Sequence, residues 1–393
     1  MDFFDLLNLI STKLSSPWVI AGGFMLALVA SGILTPIIRS WAIDAGLYDI
    51  PNDRKIHKYP IPRLGGVAIW GGFLAALALM SLAFRNQLGD ATIIGTILGG
   101  TIIFFVGLID DIYNLSPYLK LFGQMLAALV AINMGVHITA LDLPFSKILL
   151  LQILSVPFTL VWLIGVSNAF NFIDGVDGLA GGVTMISALT MAVVGLYMNQ
   201  PVAALVSACL AGATLGFLNF NFYPARIFMG DSGALFCGFV LACISITGVL
   251  KTLTMSMLLP VVVLTVPILD ITFSTLRRLF KLQSPFQADA DHLHHRLLKA
   301  GLSQLWVVFA LYGICAVAGM LATYYIGHLG NYLMVLFSVV VLAALTVFLS
   351  RLLSGREAPR RNLTATLEHS SPTNPIPPQI PANTEPVIGN HNP

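Results

Sequence analysis

NAFNFIDGVDGLAGG, residues 168–182, carries two Asn, two Asp and four Gly between two long apolar runs. Ionisable side chains at bilayer depth are unfavourable by about 2.5 kcal/mol or more each. The stretch therefore lies in water between two spans or lines a polar cavity. Either placement makes it a candidate site, and both require the flanking runs to be membrane helices.

The composition agrees. Hydrophobic residues make up 57% and charged residues 10% of 393, with mean hydropathy +0.86. A soluble domain carries roughly 25% charged residues. The expected fold class is all-α, a polytopic membrane protein. Runs of about 20 apolar residues fall near 17–38, 66–84, 91–109, 119–137, 148–167, 178–197, 202–220, 231–250, 254–273, 304–326 and 331–350, eleven in all. The first is too long for a signal-peptide core, and Lys13 alone is a weak basic start. Residues 355–393, rich in Pro, Asn, Thr and Ser, read as a disordered cytoplasmic tail behind a transmembrane domain at 1–354.

Lys and Arg set the orientation. With the N-terminus outside, sixteen of the 20 fall inside, leaving only Lys13, Arg85, Lys147 and Lys251 outside. The same parity puts Asp110, Asp111, Asp174, Asp177, Asp231, Asp289 and Asp291 on the inner side. Distant loops thus meet one membrane face as a composite, acidic, cytoplasmic site. A net charge of +2 without a dense basic cluster points away from nucleic acid. Cys209, Cys237, Cys243 and Cys315 lie in apolar runs at no metal or redox spacing and read as packing residues.

Each inner stretch has a plain and a chemical reading. DIPNDRKIHKYPIPRLGG, 49–66, is either a positive-inside anchor or a loop whose Arg and Lys hold phosphate. Asp110 and Asp111 end the third span, where the helix dipole is already negative. They are a solvated pair, or they handle metal or substrate or act as a base, with a divalent ion or Lys120 relieving the repulsion. Asn168 and Asn171 share a helix face if the fifth span continues inward. Asp174-Gly175 and Asp177-Gly178 are turn dipeptides. Asn and Asp oxygens in that number suit Mg2+ or Mn2+ held together with a phosphate. Asp231 and Ser232 sit where an N-cap belongs ahead of the eighth span, or Asp231 is a metal ligand beside a phosphate at that helix start. MGDSGA brushes a serine-protease signature, but it leads into a span and no partner order supports a triad. In DADHLHHRLLKAG, His292, His294 and His295 lack the companions of a zinc site. With Arg296 they read as a phosphate or leaving-group clamp, or as a solvated helix.

Four stretches in this order, FFVGLIDDIYNLSPYLK, NAFNFIDGVDGLAGG, NFYPARIFMGDSG and HLHHR, resemble the polyprenyl-phosphate N-acetylhexosamine-1-phosphate transferase family, and the resemblance covers roughly 20–350. It implies transfer of a sugar-1-phosphate from a UDP-HexNAc to undecaprenyl or another polyprenyl phosphate, with release of UMP and a need for Mg2+ or Mn2+. It implies Asp231 as metal ligand with Asn171 its companion, and Asp110 of the Asp110–Asp111 pair deprotonating or positioning the lipid phosphate. It further implies Asp177 and Asn221 at the uracil, Asp174 as a further polar position, and the histidines near the diphosphate. It also implies the bacterial inner membrane, a cytoplasmic site and a possible homodimer. HLHHR preceded by DAD departs from the three-His run of the MurNAc-pentapeptide branch and favours UDP-GlcNAc or a related donor. A cation-coupled transporter is the competing class, since clustered acids also mark ion pathways.

Overall fold

A computed structural model describes residues 14–51, 59–84, 88–138, 140–143, 146–149, 152–249, 258–280 and 293–325. The chain order is α1 (Pro17–Asp44), β1 (Tyr48–Asp49), β2 (Ile61–Pro62), α2 (Gly65–Ala83), α3 (Ala91–Tyr113), α4 (Pro117–Asn133), β3 (Ala140–Leu143), β4 (Ser146–Leu149), α5 (Gln152–Ile173), α6 (Leu179–Tyr197), α7 (Pro201–Asn221), α8 (Gly230–Ile244), α9 (Leu258–Val263), α10 (Thr265–Phe280), α11 (Leu293–Lys299) and α12 (Gln304–Tyr325). The protein is an all-α polytopic membrane protein with two small antiparallel hairpins, β1–β2 and β3–β4.

The helices sort by burial. α6, α7 and α8 are apolar all round and almost wholly buried, so they form the centre. The outer helices bury one side and leave Trp18, Ile33, Leu82, Phe122, Val161 and Trp306 exposed. Such faces suit lipid rather than water. α1 lies along α7 and α2, α3 and α5 lie on α8, and α12 lies on α6. Trp70 of α2 stacks on Phe104 of α3 at 4.5 Å, and Phe73 meets Phe236 of α8 edge-on at 5.5 Å. The four cysteines are unbridged and buried, as packing residues would be.

Some of the expected span bounds need correction. Among the described residues eight helices are long and apolar enough to cross a membrane. α4 has 17 residues and falls just short. The expected span at 254–273 is divided, with α9 and α10 meeting at Leu264. Pro267 has no N–H for the Val263 carbonyl, which accepts from Ser187 Oγ at 3.3 Å instead. The span expected from 148 begins at Gln152, after the β3–β4 hairpin, and runs on to Ile173. That extension makes Asn168 and Asn171 helical. The eighth span leaves α geometry at Ile244 for a π-helical turn, Ser245–Val249. Ser245 Oγ there accepts from Trp162 Nε1 at 3.0 Å, tying the turn to α5. The run at 331–350 and the tail at 355–393 lie outside the described residues.

Candidate active site

Local signals end α3 and start α4. Asn114 is left-handed, φ 51°, an Asn-tolerant way to close a helix. Ser116 Oγ then accepts from Leu119 N at 3.3 Å and Pro117 takes the first helical position. This tight turn puts Lys120 back over the last turn of α3. Its Nζ lies 3.1 Å from Asp110 Oδ2 and is also bonded to Asp231 Oδ2 of α8. Lys120 thus supplies the cation that the carboxylate pair requires. Asp110 Oδ1 accepts from Leu115 N at 2.8 Å, so this side chain also shapes the turn.

Asp111 has a different task. Its Oδ1 accepts from Asp231 N at 2.8 Å, and its Oδ2 accepts from Ser232 N at 3.1 Å and Ser232 Oγ at 2.7 Å. Asp231 and Ser232 are therefore not the N-cap expected of them. α8 begins at Gly230 after Met229, and Asp111 closes its first turn from another helix. A carboxylate at a helix N-terminus is favoured by the free N–H groups and the dipole. Gly230 is required beneath it: its φ is +74°, and a Cβ would stand 2.5 Å from Asp111 Oδ2.

The central turn is held from several sides. Asn221, 2% exposed, accepts from Gly178 N at 3.1 Å and donates to the Ile227 carbonyl at 3.0 Å. Asp177 Oδ2 accepts from Ala225 N at 2.9 Å. Tyr312 of α12 donates to the Gly178 carbonyl at 2.6 Å. Asn171 stands close to Asp231.

These connections enclose a pocket of about 400 Å³ whose walls include Asp110, Asp111, Asp174, Asp177, Asn221, Asp231 and His295. Asp49, Arg63 and Asn114 line it as well. Every lining residue comes from, or borders, one of the connections α1–α2, α3–α4, α5–α6, α7–α8 or α10–α12. Consecutive helices run up and down, so these connections share one end of the bundle.

Other expected site residues stand elsewhere. Asn168 is one turn deeper, in a reciprocal amide pair with Gln124 of α4 at 3.1 and 2.7 Å, and is not on the pocket wall. That pair satisfies polar groups between α4 and α5. Arg296 is exposed and also absent from the wall. His294 is buried at 2%, while His292 lies outside the described residues. Arg63 is a wall residue that the 49–66 loop only hinted at. Its guanidinium pairs with the buried Asp49 carboxylate, and the β1–β2 strap bearing it is bonded onward through Phe228 N to the Pro62 carbonyl at 2.9 Å.

The electrostatics favour a cation. Burial pushes the Asp174 carboxyl well above the usual carboxylate range, and the charges of Asp231, Asp111 and Asp177 push the same way. A raised native value means that the fold binds this proton more tightly than the unfolded chain does. That contribution is complete below about pH 4, the unperturbed value, and is lost as pH rises through the shifted one. In EDTA the thermal midpoint in detergent is therefore expected to fall from mildly acid to neutral pH, with Asp174→Asn flattening the slope. An unchanged slope in Asp174→Asn would refute this.

Among the described residues no three His, Cys, Asp or Glu side chains are close enough together to form a ready-made metal site. Asp231 with Asn171 nonetheless fits the sparse pattern of Mg2+ sites, one or two carboxylates completed by water and substrate phosphate. The Lys120 ammonium already marks this as a place for positive charge.

Fold and site together define a multi-pass membrane protein with an acid-lined pocket at one set of helix ends. The model of the glycosyl transferase family 4 matches residues 93–249, from α3 through the π-helical turn. A probable undecaprenyl-phosphate N-acetylglucosaminyl 1-phosphate transferase of Bacillus subtilis is 36% identical over 291 residues, 74% of this chain and 80% of that one. The decaprenyl-phosphate N-acetylglucosaminephosphotransferase of Mycolicibacterium smegmatis is 36% identical over 312 residues, covering 73% and 77%. The undecaprenyl-phosphate alpha-N-acetylglucosaminyl 1-phosphate transferase of Escherichia coli K12 is 28% identical over 299 residues, covering 73% and 79%. The chain belongs to glycosyl transferase family 4.

Proposed function

We infer that this chain transfers a HexNAc-1-phosphate, GlcNAc-1-phosphate above all, from a UDP-HexNAc to undecaprenyl or a related polyprenyl phosphate. An acceptor phosphate oxygen attacks the donor's β-phosphorus, the bond to UMP breaks, and a diphosphate-linked lipid sugar remains. The single observation that carries this reading is the pocket itself. Carboxylates from α3, the α5–α6 turn and α8 share one wall with His295 and Arg63, at helix ends where a soluble nucleotide and a membrane lipid can meet. α4 supports the lipid side. It brings Lys120 to the acids and exposes Tyr118 and Phe122, one turn apart on one face. The relatives' names, each a polyprenyl-phosphate GlcNAc-1-phosphate transferase, supply the donor sugar and the acceptor class.

The residue roles, that of Arg63 apart, are those the family resemblance implies, and the pocket wall supports them by bringing several of these residues together. Asp110 positions the acceptor phosphate or takes its proton, with Lys120 beside it. Arg63, whose guanidinium has five donors, holds phosphate oxygens. Asp177 and Asn221 shape the uracil side, and His295 faces the diphosphate. Asp231 and Asn171 would hold Mg2+ or Mn2+, which when bound neutralises charge on the phosphoryl oxygens. The basic-residue bias supports an outside N-terminus, eleven spans and a site facing the cytoplasm of a bacterial inner membrane. A homodimer belongs to the same reading, as does a 1–354 catalytic domain. Deleting 355–393 is expected to leave turnover intact, because a Pro-, Asn-, Thr- and Ser-rich sequence without an apolar run reads as a disordered tail. A large loss on truncation would give the tail a role.

The deciding assay is purified protein with radiolabelled UDP-GlcNAc, undecaprenyl phosphate and Mg2+. It should yield a lipid-soluble product, suppressed by EDTA, with release of UMP. Absence of product from UDP-GlcNAc, UDP-GalNAc and UDP-MurNAc-pentapeptide alike would overturn the reading. Ion flux in proteoliposomes without UMP release would support the transporter class instead.

A further inference from the structure

The histidine helix α11 is held by a residue that lies outside every motif above. Asp270, in the middle of α10, is 4% exposed, and its Oδ1 accepts from the Leu293 backbone N–H at 2.6 Å. Leu293 is the first residue of α11, so this carboxylate closes the helix's first turn across 23 positions of chain. The next two residues are His294 and His295. Their rings lie 4.3 Å apart between centroids. His294 is 2% exposed and packs so closely on the central turn that a Cβ on Gly175 would stand 2.5 Å from its Nε2. His295 lines the pocket.

We propose that Asp270 is a positioning residue that sets the height and rotation of α11, and so fixes where His294 and His295 meet the Asp174–Gly178 turn. α11 has only seven residues and adds little helical stability of its own. Its start is therefore decided by what it is tied to. The arrangement parallels the way Asp111 closes α8, so the structure uses the same device twice, a carboxylate from one helix capping another that bears site residues.

The kinetic part of the test rests on the transferase reading, and the chemical part does not. In full-length protein in detergent, Asp270→Ala is expected to lower kcat by about 10- to 100-fold, the range for losing a residue that orients a site side chain. KM for the UDP-sugar should change much less. Asp270→Asn keeps an acceptor oxygen for Leu293 and should recover most of the rate. The decisive comparison is a double-mutant cycle with His295→Ala. If Asp270 acts through the histidine helix, Asp270→Ala/His295→Ala is no slower than His295→Ala. Losses that multiply would overturn the proposal, as would a normal kcat in Asp270→Ala. Independently of turnover, diethyl pyrocarbonate labelling read by mass spectrometry should find His294 protected in the wild type and Asp270→Asn but reactive in Asp270→Ala. Equal protection in Asp270→Ala would also overturn it, even in a preparation with no transferase activity. Should Asp270→Ala fail to purify, Asp270→Asn decides alone. A His294 that is reactive in that variant would count against the proposal.

Discussion

Asp231→Asn is expected to lower turnover by about 10³-fold, the scale of losing one group that stabilises transition-state charge, while leaving the fold in place. Asp231 stands in the first turn of α8 with its carboxylate bonded to Lys120 and close to Asn171. Its backbone N–H, which Asp111 caps, is untouched by the substitution. Asn has the same shape, so the first turn should survive. Lys120 keeps Asp110 at 3.1 Å, so its charge is not left alone. The loss is confined to negative charge at the place proposed for Mg2+. The variant should therefore elute and melt like the wild type, and Mg2+ titration should fail to restore the rate. Near-native activity would remove Asp231 from the metal site.

Asp111→Asn is expected to lose both activity and stability, and this contrast separates the two aspartates. Asp111 accepts three hydrogen bonds, two on Oδ2 and one on Oδ1. Asn offers one acceptor oxygen, and its NH2 group would face either the Asp231 N–H or the Ser232 donors. Leaving a buried donor unmet costs about 1–3 kcal/mol, on top of the lost charge at the helix terminus. The start of α8 must shift, and Asp231 moves with it. The expected result is a lower thermal midpoint together with a rate loss comparable to that of Asp231→Asn. Ser232→Ala, which removes one of the three bonds, should fall between this variant and the wild type. Full stability with lost activity in Asp111→Asn would make Asp111 a chemical group rather than a cap.

The motifs were legible because they contrast with their surroundings. Two Asp and two Asn among apolar residues in 168–182, the adjacent Asp110 and Asp111, and the acid at Asp231 are all anomalies in a chain that is 10% charged. The structure brings residues of each onto one pocket wall. The division of labour within them was not legible. Asp110 and Asp111 are neighbours, yet one pairs with Lys120 and the other caps a helix 120 positions away. Asn168 and Asn171 share a helix face, yet one meets Gln124 and the other Asp231. Asp270 was hidden altogether. It sits inside a run counted as a span, with no second polar residue adjacent to draw attention.

From the sequence alone came the all-α membrane class, most of the helices, the end of the bundle where the polar groups gather, and the family. Hydropathy and motif spacing are local along the chain, and membrane helices follow local hydropathy because backbone groups in lipid must be satisfied within the segment. Only the tertiary structure decided which carboxylate caps, which pairs with Lys120, and what holds the histidine helix. Those roles depend on which helix ends meet in space. Residues one position apart on a helix point about 100° apart and meet different neighbours.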